Sequence, residues 1–539
     1  KDIMPYDLYT EENVSQRWVD LNECLREVNK AKLDEKIYLN NCEKWDCIAN
    51  EKIDILKYAG EYCYLDCVTL QKGYEKFQLM TLQALNLDIN DYVSLASMSN
   101  DYLVIEGCYD DVLKIAGVPR AFIQKCVVGG RVMTAENKKY HIRDRLSDFD
   151  GVSLFPSAMN RMTGFLKGKP KIIKDFQPEK YDGYFVCIRI KKINKRYKFP
   201  LGSYKKDGVR EFTNDLEGHI IYLDKTSLED LIKYQKIEYE FINGYYYDEG
   251  HNNKINSVIK HIFTQRLKYK KEGNPIQMVF KECMNSSYGK SFMKPIDTDS
   301  KYLKVGAEFN DYMDRNYNYI KEAILLANDK YYKVTRIQPI NEHYNNVHIG
   351  VEILSMSKRI MNEVMCLAED LDISMYYTDT DSIHIQADKI DLLASEFHKI
   401  HHRALIGDQM GQFHTDFDMK DEEGNNRNKK GSEIVSVESY FLGKKCYLDK
   451  LESIDKDNNT INDFHIRSKG VSTDCIIHKA ENSDSFDDVM DIYDYLYEGG
   501  SIKFNLLAVR PKFEMCKNMK VITRQEFFRT LRFDYPQAQ

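Results

Sequence analysis

The chain has 539 residues, with 77 Lys and Arg against 84 Asp and Glu, and a formal net charge of −7 at pH 7. A chain of this length can bury a large core and is expected to form several subdomains. Thirteen cysteines without a Cys-x-x-Cys pair argue against a disulfide framework or a zinc site and favour reduced thiols. The sequence contains no apolar run of about 18 residues, so a membrane-spanning helix is not expected.

The first predicted helix with a candidate functional pattern contains Tyr62-Cys-Tyr-Leu-Asp66, in which a Tyr and an Asp lie four residues apart. Residues four apart lie on one face of a helix, and Tyr/Asp pairs at this spacing are common on helices of any function. Because the chain begins at Lys1 without Met, we expect residues 1–95 to be the last part of a domain whose front lies upstream.

The next segment of interest is Val127-Val-Gly129-Gly130-Arg131, which places two glycines beside a cation. Glycine permits a close backbone approach to a phosphate group. The two glycines would therefore allow such an approach at this segment.

A predicted strand then ends at Asp150, within Ser147-Asp-Phe-Asp-Gly-Val-Ser-Leu-Phe-Pro-Ser157. The chain passes through Gly151 and enters a helix near Pro156, because proline is favoured in a first helical turn. A mixed segment of strands and loops follows before the next helix. Asp150 is therefore expected at the end of a strand, beside a tight turn.

A helical hairpin is predicted next, with its first arm over residues 255–271 and its second arm beyond Pro275. Gly273 suits the position after the first arm, and Asn274 can cap the second. Basic residues lie on one face of the first arm, and the second arm carries polar residues at i, i+4 and i+7, which also share a face; these residues are Arg266, Lys270, Lys281, Asn285 and Tyr288. The three cations Arg266, Lys270 and Lys281 can converge at one place in such a hairpin. A pair of solvated basic helices would show the same pattern, so the pattern alone leaves both interpretations open.

The last strong signal is Tyr377-Thr-Asp379-Thr-Asp381-Ser382, between two runs rich in aromatic and β-branched residues that predict a hairpin. Before it, a polar interval over residues 297–346 leads to an amphipathic helix over residues 351–370. Residues i and i+2 of an extended chain point to one face, so both aspartates can reach one place. Two adjacent carboxylates repel each other unless a cation lies between them, and oxygen ligands suit Mg²⁺. A solvated acidic turn or a phosphatase site would fit this segment alone.

Together these segments resemble the three polymerase motifs of family B DNA polymerases. The Asp150 segment is similar to motif A, with Phe155 in place of the usual Tyr; Lys281-Glu-Cys-Met-Asn-Ser-Ser-Tyr-Gly289 is similar to motif B; the Tyr377 segment matches motif C without departure. The resemblance implies an α+β fold: a right-hand polymerase with palm, fingers and thumb, plus the C-terminal remnant of an RNase H-like 3′–5′ exonuclease domain. It also implies a DNA-directed DNA polymerase that extends a primer 3′-OH.

The resemblance assigns roles at the chemical centre. Asp150 and Asp381, with Gly151, would bind two Mg²⁺ ions, for which Mn²⁺ could substitute, and Asp379 would assist catalysis. Phe155 would exclude a ribose 2′-hydroxyl. The incoming dNTP would be bound by Leu154, Phe155, Arg266, Lys270, Lys281, Asn285 and Tyr288.

The resemblance also assigns DNA contacts. Gly129, Gly130 and Arg131 resemble a Tyr-x-Gly-Gly element that contacts the template, although Val127 replaces its Tyr. Lys445 and Tyr447 resemble a Lys-x-Tyr element that holds the primer strand. Tyr62 and Asp66 resemble exonuclease motif III, but the partner carboxylates of that nuclease are not found upstream.

The intervals between the motifs resemble the two insertions of protein-primed family B polymerases from viruses, linear plasmids and organellar plasmids. The implied division is residues 1–95 exonuclease, 96–165 palm with motif A, 166–250 first insertion and palm, 251–292 fingers, 293–346 second insertion, 347–435 palm with motif C, and 436–539 thumb. Implied partners are template and primer DNA, dNTPs and a terminal protein. The implied location is the host cytoplasm or a virion, or the mitochondrion for an organellar plasmid, without secretion. A catalytically inactive DNA-binding relic and a nucleic-acid-primed polymerase remain as alternatives.

Overall fold

The computed structural model describes residues 3–294, 296–421, 423–516, 518, 520–524 and 526–539. The chain forms two compact units. We call Lys1–Leu79, Asn137–Arg145 and Phe417–Gln539 the terminal unit, and Met80–Glu136 and Leu146–Asp416 the central unit.

The α-helices of the described residues, in chain order, are α1 (Glu11–Gln16), α2 (Leu21–Lys30), α3 (Glu35–Lys44), α4 (Ile55–Leu85), α5 (Leu95–Ile105), α6 (Gly117–Gln124), α7 (Leu154–Arg161), α8 (Lys225–Asp230), α9 (Lys254–Lys271), α10 (Gln277–Ser286), α11 (Ala307–Asn316), α12 (Val347–Asp370), α13 (Ile390–His401), α14 (Thr473–Glu481) and α15 (Val489–Tyr497).

The corresponding strands are β1 (Trp18–Asp20), β2 (Ile48–Ala49), β3 (Lys52–Asp54), β4 (Val132–Thr134), β5 (Tyr140–Ile142), β6 (Leu146–Gly151), β7 (Phe165–Leu166), β8 (Lys171–Ile172), β9 (Gly183–Ile193), β10 (Ser203–Lys206), β11 (Val209–Phe212), β12 (Ile220–Asp224), β13 (Ile237–Tyr247), β14 (His251–Asn252), β15 (Thr298–Lys304), β16 (Ile320–Leu325), β17 (Tyr331–Ile337), β18 (Met375–Asp379), β19 (Ser382–Gln386), β20 (Phe413–Thr415), β21 (Val435–Gly443), β22 (Cys446–Ile454), β23 (Thr460–Ser468), β24 (Ile502–Asn505), β25 (Lys512–Met515), β26 (Val521–Arg524) and β27 (Phe528–Leu531).

The terminal unit contains two apolar clusters. One packs the N-terminal helices and strands around the buried rings of Tyr38 and Tyr58. The other lies between the antiparallel strands β21, β22 and β23 and the helices α14 and α15, with Tyr493 and Phe504 buried inside it. Both clusters bury large aromatic rings, which contribute much of the apolar area that stabilises such a core.

The central unit is built on antiparallel strands in the order β6, β19, β18, β4, with β20 also paired to β6. The long helix α12 is buried along most of its length and contacts α7 and α8. A second sheet, in the order β12, β9, β13, β8, has its own apolar cluster, which includes Val186 and Ile188. A third sheet, in the order β15, β17, β16, is formed within the interval that was predicted to be polar.

The predicted helical hairpin is confirmed, with two corrections. The first arm is α9, and Gly273 after it has φ 66°, the left-handed conformation that a helix C′ position favours. Asn274 does not cap the second arm, because α10 begins at Gln277 with Ile276 as its N-cap residue; the Asn274 side chain accepts from the backbone N–H of Ile276 at 3.0 Å in the turn before the helix. However, α10 ends at Ser286, so Tyr288 lies in the turn beyond the helix and not on its face. The predicted helix before motif C is also confirmed and begins four residues earlier, at Val347.

Among the described residues, no helix combines the length and apolarity that spanning a bilayer requires.

Candidate active site

The strand register of the central sheet places two predicted catalytic carboxylates beside one residue. Ser382 on β19 lies directly opposite Asp150 on β6 and, on its other side, opposite Asp379 on β18. Directly opposed residues on antiparallel strands project from the same face. Asp150 and Asp379 therefore flank Ser382 on one face of the sheet.

Asp381 reaches the same region by a different route from the predicted one. It lies with Thr380 in the two-residue turn between β18 and β19. The direction of its side chain is therefore not set by the alternation of side chains along an extended strand. Its backbone N–H donates to the Asp379 carbonyl at 2.7 Å, and Thr380 between them has φ 63°. A hydrogen bond across three residues with a positive central φ is the pattern of a γ-turn, which is strained for a β-branched residue. The Asp381 carbonyl in turn accepts from the N–H of Gly151 at 2.7 Å, which ties this turn to the end of β6.

The strained turn is supported by the Gly-Gly-Arg segment. The N–H of Thr380 donates to the Arg131 carbonyl at 2.9 Å. A Cβ atom on Gly130 would lie 2.5 Å from Cγ2 of Thr380, whereas one on Gly129 would meet nothing within 4 Å. Gly130 is thus required by the close packing of the protein against its own turn.

We call the region of Asp150, Asp379 and Asp381 the acidic corner. The electrostatics of this region disfavour ionised carboxylates. Burial is the main cause that raises the pKa of Asp150 to about 8, and the carboxylates of Asp381, Asp416 and Asp148 contribute to this rise. Asp416 follows β20, which pairs with β6. Desolvated carboxylates that share one site favour a divalent cation, and an all-oxygen donor set fits Mg²⁺ better than zinc or copper.

Beside the carboxylates, an aromatic pair joins motif A to motif B. The ring of Phe155 stacks on Tyr288 with centroids 4.6 Å apart and an interplanar angle of 27°. Burial raises the pKa of Tyr288 to about 12, and the charge of Asp381 contributes to the rise. Tyr288 therefore lies within electrostatic reach of the acidic corner, and Phe155 borders the same space. Leu154, which precedes Phe155, is buried in the core.

The basic residues of the helical hairpin differ in exposure. Arg266 on α9 is half-buried and donates through Nη1 to the Ser153 hydroxyl oxygen at 3.1 Å. Burial lowers the pKa of Arg266. Lys270, Lys281 and Asn285 are exposed. Arg266 thus connects α9 to the turn that precedes α7, while the two lysines are open to a ligand.

Two predicted DNA contacts need correction, because the side chains point inward. Arg131 is 5% exposed, and its Nη1 donates to the carbonyls of Phe199 and Pro200 at 3.2 and 3.1 Å. Tyr447 is 6% exposed, and its ring packs near Phe441 and His465. These two side chains bind the protein itself, and we leave them out of the proposed DNA contacts.

The remaining predicted residues are exposed or half-exposed. Lys445 lies with φ 58° in the exposed turn between β21 and β22 of the terminal unit. Tyr62 and Asp66 lie on α4, where Tyr62 packs against an apolar cluster and Asp66 is exposed.

Sequence reasoning missed three residues that shape the site: Ser153, Ser382 and Asp416. Ser382 was visible as part of the motif C segment, but its position between two carboxylates depends on strand register. Ser153 adopts the left-handed conformation with φ 47° ahead of α7 and accepts from Arg266, and no local pattern marks it. Asp416 approaches Asp150 only because β20 joins the sheet.

Comparison with solved structures defines the class of fold. The chain is similar to phi29 DNA polymerase complexed with primer-template DNA, with a TM-score of 0.54 at 15% identity over 82% of this chain and 68% of that one. It is similar to phi29 DNA polymerase complexed with single-stranded DNA, with a TM-score of 0.54 at 16% identity over 85% of this chain and 70% of that one. The fold is therefore an α+β polymerase fold.

Sequence comparison gives the family. The family model described as DNA polymerase type B, organellar and viral, matches residues 1–369. A "Probable DNA polymerase" of Ascobolus immersus is 25% identical over 355 residues, which span 63% of this chain and 28% of the length of that relative. The chain belongs to the organellar and viral type B DNA polymerases, as the three motifs predicted.

Proposed function

We propose that the chain is a DNA-directed DNA polymerase that adds deoxynucleotides to a primer 3′-OH. The observation that carries the proposal is the register that sets Asp150 and Asp379 on either side of Ser382, with Asp381 in the adjoining turn. This arrangement offers several carboxylate oxygens in one region, within electrostatic reach of Tyr288, whose ring stacks on Phe155. Membership of the polymerase family supports the same activity.

The donor set fits divalent cations. Bound by Asp150 and Asp381 with the Gly151 carbonyl, two Mg²⁺ ions, or Mn²⁺ in their place, would activate the primer hydroxyl and neutralise charge on the departing pyrophosphate. The protein supplies the arrangement. The Asp381 carbonyl accepts from Gly151 N–H, which fixes the turn of motif C against the end of motif A. Asp379 assists from the opposite side of Ser382.

The residues of the helical hairpin bind the incoming nucleotide in this proposal. Lys281 and Lys270 present charge to the triphosphate, and Arg266 is oriented by its hydrogen bond to Ser153. Phe155 borders the sugar and, supported by the Tyr288 ring, excludes a 2′-hydroxyl by contact. Leu154, Asn285 and Tyr288 complete the nucleotide site.

We assign parts of a right-hand polymerase as follows. The palm comprises residues 96–165 and 347–435, the fingers 251–292, and the thumb 436–539, with a first insertion in 166–250. Residues 1–95, with Tyr62 and Asp66, are proposed to be an exonuclease remnant. Gly129, Gly130 and Lys445 are proposed to contact DNA through backbone or exposed side-chain groups. The DNA complexes of the phi29 polymerase support a template and primer as partners of this chain.

Protein priming, with a terminal protein as the partner, is proposed on the two insertions, and the second insertion, residues 293–346, is proposed to support strand displacement. Its three-stranded sheet is a separate module, because the backbone N–H of Gln338 donates to the Asp297 carbonyl at 3.0 Å and so brings the two ends together. Replacement of residues 298–337 by a short Gly-Ser linker should therefore preserve the rest of the fold. We expect this variant to lose displacement of a downstream strand more than extension on an open template, and to lose initiation on a protein primer. Equal loss on both templates would reject the proposed role.

The test of polymerase activity is incorporation directed by the template. Four primer-templates that differ only in the next template base are incubated with Mg²⁺ and each dNTP in turn. We expect extension only with the complementary dNTP. Binding of DNA without extension on any template would support the inactive relic and contradict the proposal.

A further inference from the structure

A cavity of about 320 Å³ lies in the central unit, outside the acidic corner. One wall is the end of α6 and the segment that leads to Arg131, a second is the hairpin of β10 and β11, and a third is α12. Small-molecule sites in proteins have volumes from about 300 to 1,000 Å³. The cavity is thus large enough for a nucleotide-sized ligand.

The lining of the cavity is strongly basic. Five cationic side chains line it: Lys125, Arg131, Lys205, Arg210 and Lys358. The acidic side chain in the lining is Asp230, which is already bound by Arg359 at 2.8 Å and by the amide of Asn362 at 3.0 Å. Asp224 lies close by, and its carboxylate accepts hydrogen bonds from the backbone N–H of Ser227 and the hydroxyl of Ser355, two residues that also line the cavity. The excess of positive charge favours an anionic ligand.

Three buried polar atoms of the lining have no hydrogen-bond partner among the described residues: Oε1 of Gln124, Nε of Arg131 and Oδ1 of Asn362. Arg131 and Asn362 are each 5% exposed. Buried donors and acceptors are nearly always paired, by protein, water or ligand. An unpaired donor and an unpaired acceptor at one cavity therefore indicate an occupant that offers both kinds of group.

We propose that this cavity binds a phosphate-bearing ligand of about nucleotide size, whose phosphate is held by Lys205, Arg210 and the charge of Lys358. The rings of Tyr204 and Tyr222 in the lining can contact a base. A free nucleotide and a phosphate group of bound DNA both offer this chemistry. The experiment below distinguishes these two ligands.

The charge distribution is consistent with an anion. The pKa of Lys358 is lowered to about 7, mainly by burial; Asp224 opposes the shift, and the cations of Arg131 and Arg210 contribute to it. An anion among these groups would relieve their mutual repulsion.

The cavity is connected to the proposed active site through its first wall. Lys358 Nζ donates to the carbonyls of Val128 and Gly129. Two residues after Gly129, Arg131 lines the cavity with its guanidinium, and its backbone carbonyl accepts a hydrogen bond from the N–H of Thr380. An occupant thus contacts the segment that supports the motif C turn, so it is expected to alter the rate of nucleotide addition. This consequence rests on the proposed function, whereas the binding itself does not.

The test measures binding by isothermal titration calorimetry in EDTA, with inorganic tripolyphosphate and a single-stranded oligonucleotide as separate probes. Lys281→Ala protein serves as the background, so that the proposed triphosphate site of the hairpin contributes little. Lys205→Gln and Arg210→Gln remove cavity charges, and Lys206→Gln is the matched control, because Lys206 is the exposed neighbour of Lys205 and does not line the cavity. Thermal melting verifies that each variant is folded.

We expect Lys205→Gln and Arg210→Gln each to weaken tripolyphosphate binding by about tenfold, with Lys206→Gln unchanged. If only oligonucleotide binding weakens in the two cavity variants, the phosphate belongs to DNA and the site stands. Unchanged affinity for both probes in Lys205→Gln and Arg210→Gln overturns the proposal. Template-directed extension by the wild-type chain is measured separately, so failure here is distinct from failure of the proposed polymerase function.

Discussion

Gly130 and Thr380 lie so close together that a Cβ atom on Gly130 would come within 2.5 Å of Cγ2 of Thr380. The turn that contains Thr380 also contains Asp381, and it is held by the hydrogen bond from Thr380 N–H to the Arg131 carbonyl. The glycine therefore determines where a proposed metal ligand lies.

Substitution of this glycine should impair catalysis more than stability. We expect Gly130→Ala to displace the turn and lower the rate of nucleotide addition by about a hundredfold, since a displacement of about 1 Å at a reacting centre can have that effect. Gly73→Ala is the control, because Gly73 is exposed on α4 and a Cβ there meets nothing within 4 Å. Single-turnover extension and melting temperature are measured for both. Equal rates for the two variants would show that the close contact has no catalytic role.

The stacked pair of Phe155 and Tyr288 predicts sugar selectivity. We expect Phe155→Val to open space beside the sugar and to raise the efficiency of ribonucleotide incorporation relative to deoxyribonucleotides by about tenfold or more. Phe155→Tyr retains a ring and should retain the preference. The measurement is kcat/KM for dNTP and rNTP on one template. A Phe155→Val protein that is less stable but equally selective would assign Phe155 to core packing alone.

Glu363 on α12 binds Arg161 of α7 and Arg403 in the central unit. Burial opposes ionisation of Glu363, but the two arginines hold the pKa of its carboxyl below the ordinary value. We expect Glu363→Ala to lower the free energy of unfolding by about 3–5 kcal/mol, because it leaves partly buried charges without their partner.

Denaturant unfolding measures this loss. Glu396→Gln is the control, since Glu396 forms a surface ion pair with Lys399, and such pairs contribute at most about 1 kcal/mol. If Glu363→Ala lowers the free energy of unfolding no more than Glu396→Gln does, the ion pairs of Glu363 do not stabilise the packing of α7 on α12.

The raised pKa of Asp150 predicts a dependence of stability on pH in the absence of metal. The group ionises near pH 4 when unfolded and near pH 8 when folded, so the folded state binds the extra proton between these values and stability falls as pH rises through this window. Asp150→Asn lacks this charge. In EDTA we therefore expect its melting temperature to exceed that of the wild type by a margin that grows from pH 5 to pH 8 and is then constant. A margin that shrinks over that range would mean that the acidic corner does not disfavour ionisation.

The sequence predicted the elements that carry local signals. The hairpin around Asp379, the strand that ends at Asp150, the helix α9 with Gly273 after it, and the helix α12 all follow from period, capping and turn residues. Such signals depend on neighbours a few positions apart, and the sequence contains them in full.

Contacts between distant segments could not be predicted in the same way. The packing of Gly130 on Thr380, the hydrogen bond from Arg266 to Ser153 and the approach of Asp416 to Asp150 depend on which strands and helices become neighbours in space. The inward direction of the Arg131 side chain likewise depends on carbonyls of Phe199 and Pro200 from another part of the chain. The resemblance to a family assigned roles to positions, but it did not determine which way each side chain points.

The central claim is that the carboxylates around Ser382 perform nucleotidyl transfer. Its most direct test is primer extension in Mg²⁺ by the wild type, by Asp381→Asn and by Asp388→Asn, whose carboxylate lies outside the acidic corner on the exposed surface. Affinity for the primer-template is measured for each protein in parallel. We predict that Asp381→Asn loses at least about a hundredfold in extension rate while its DNA affinity and the activity of Asp388→Asn stay within about twofold of the wild type. Extension by Asp381→Asn at the rate of the wild type would contradict the account.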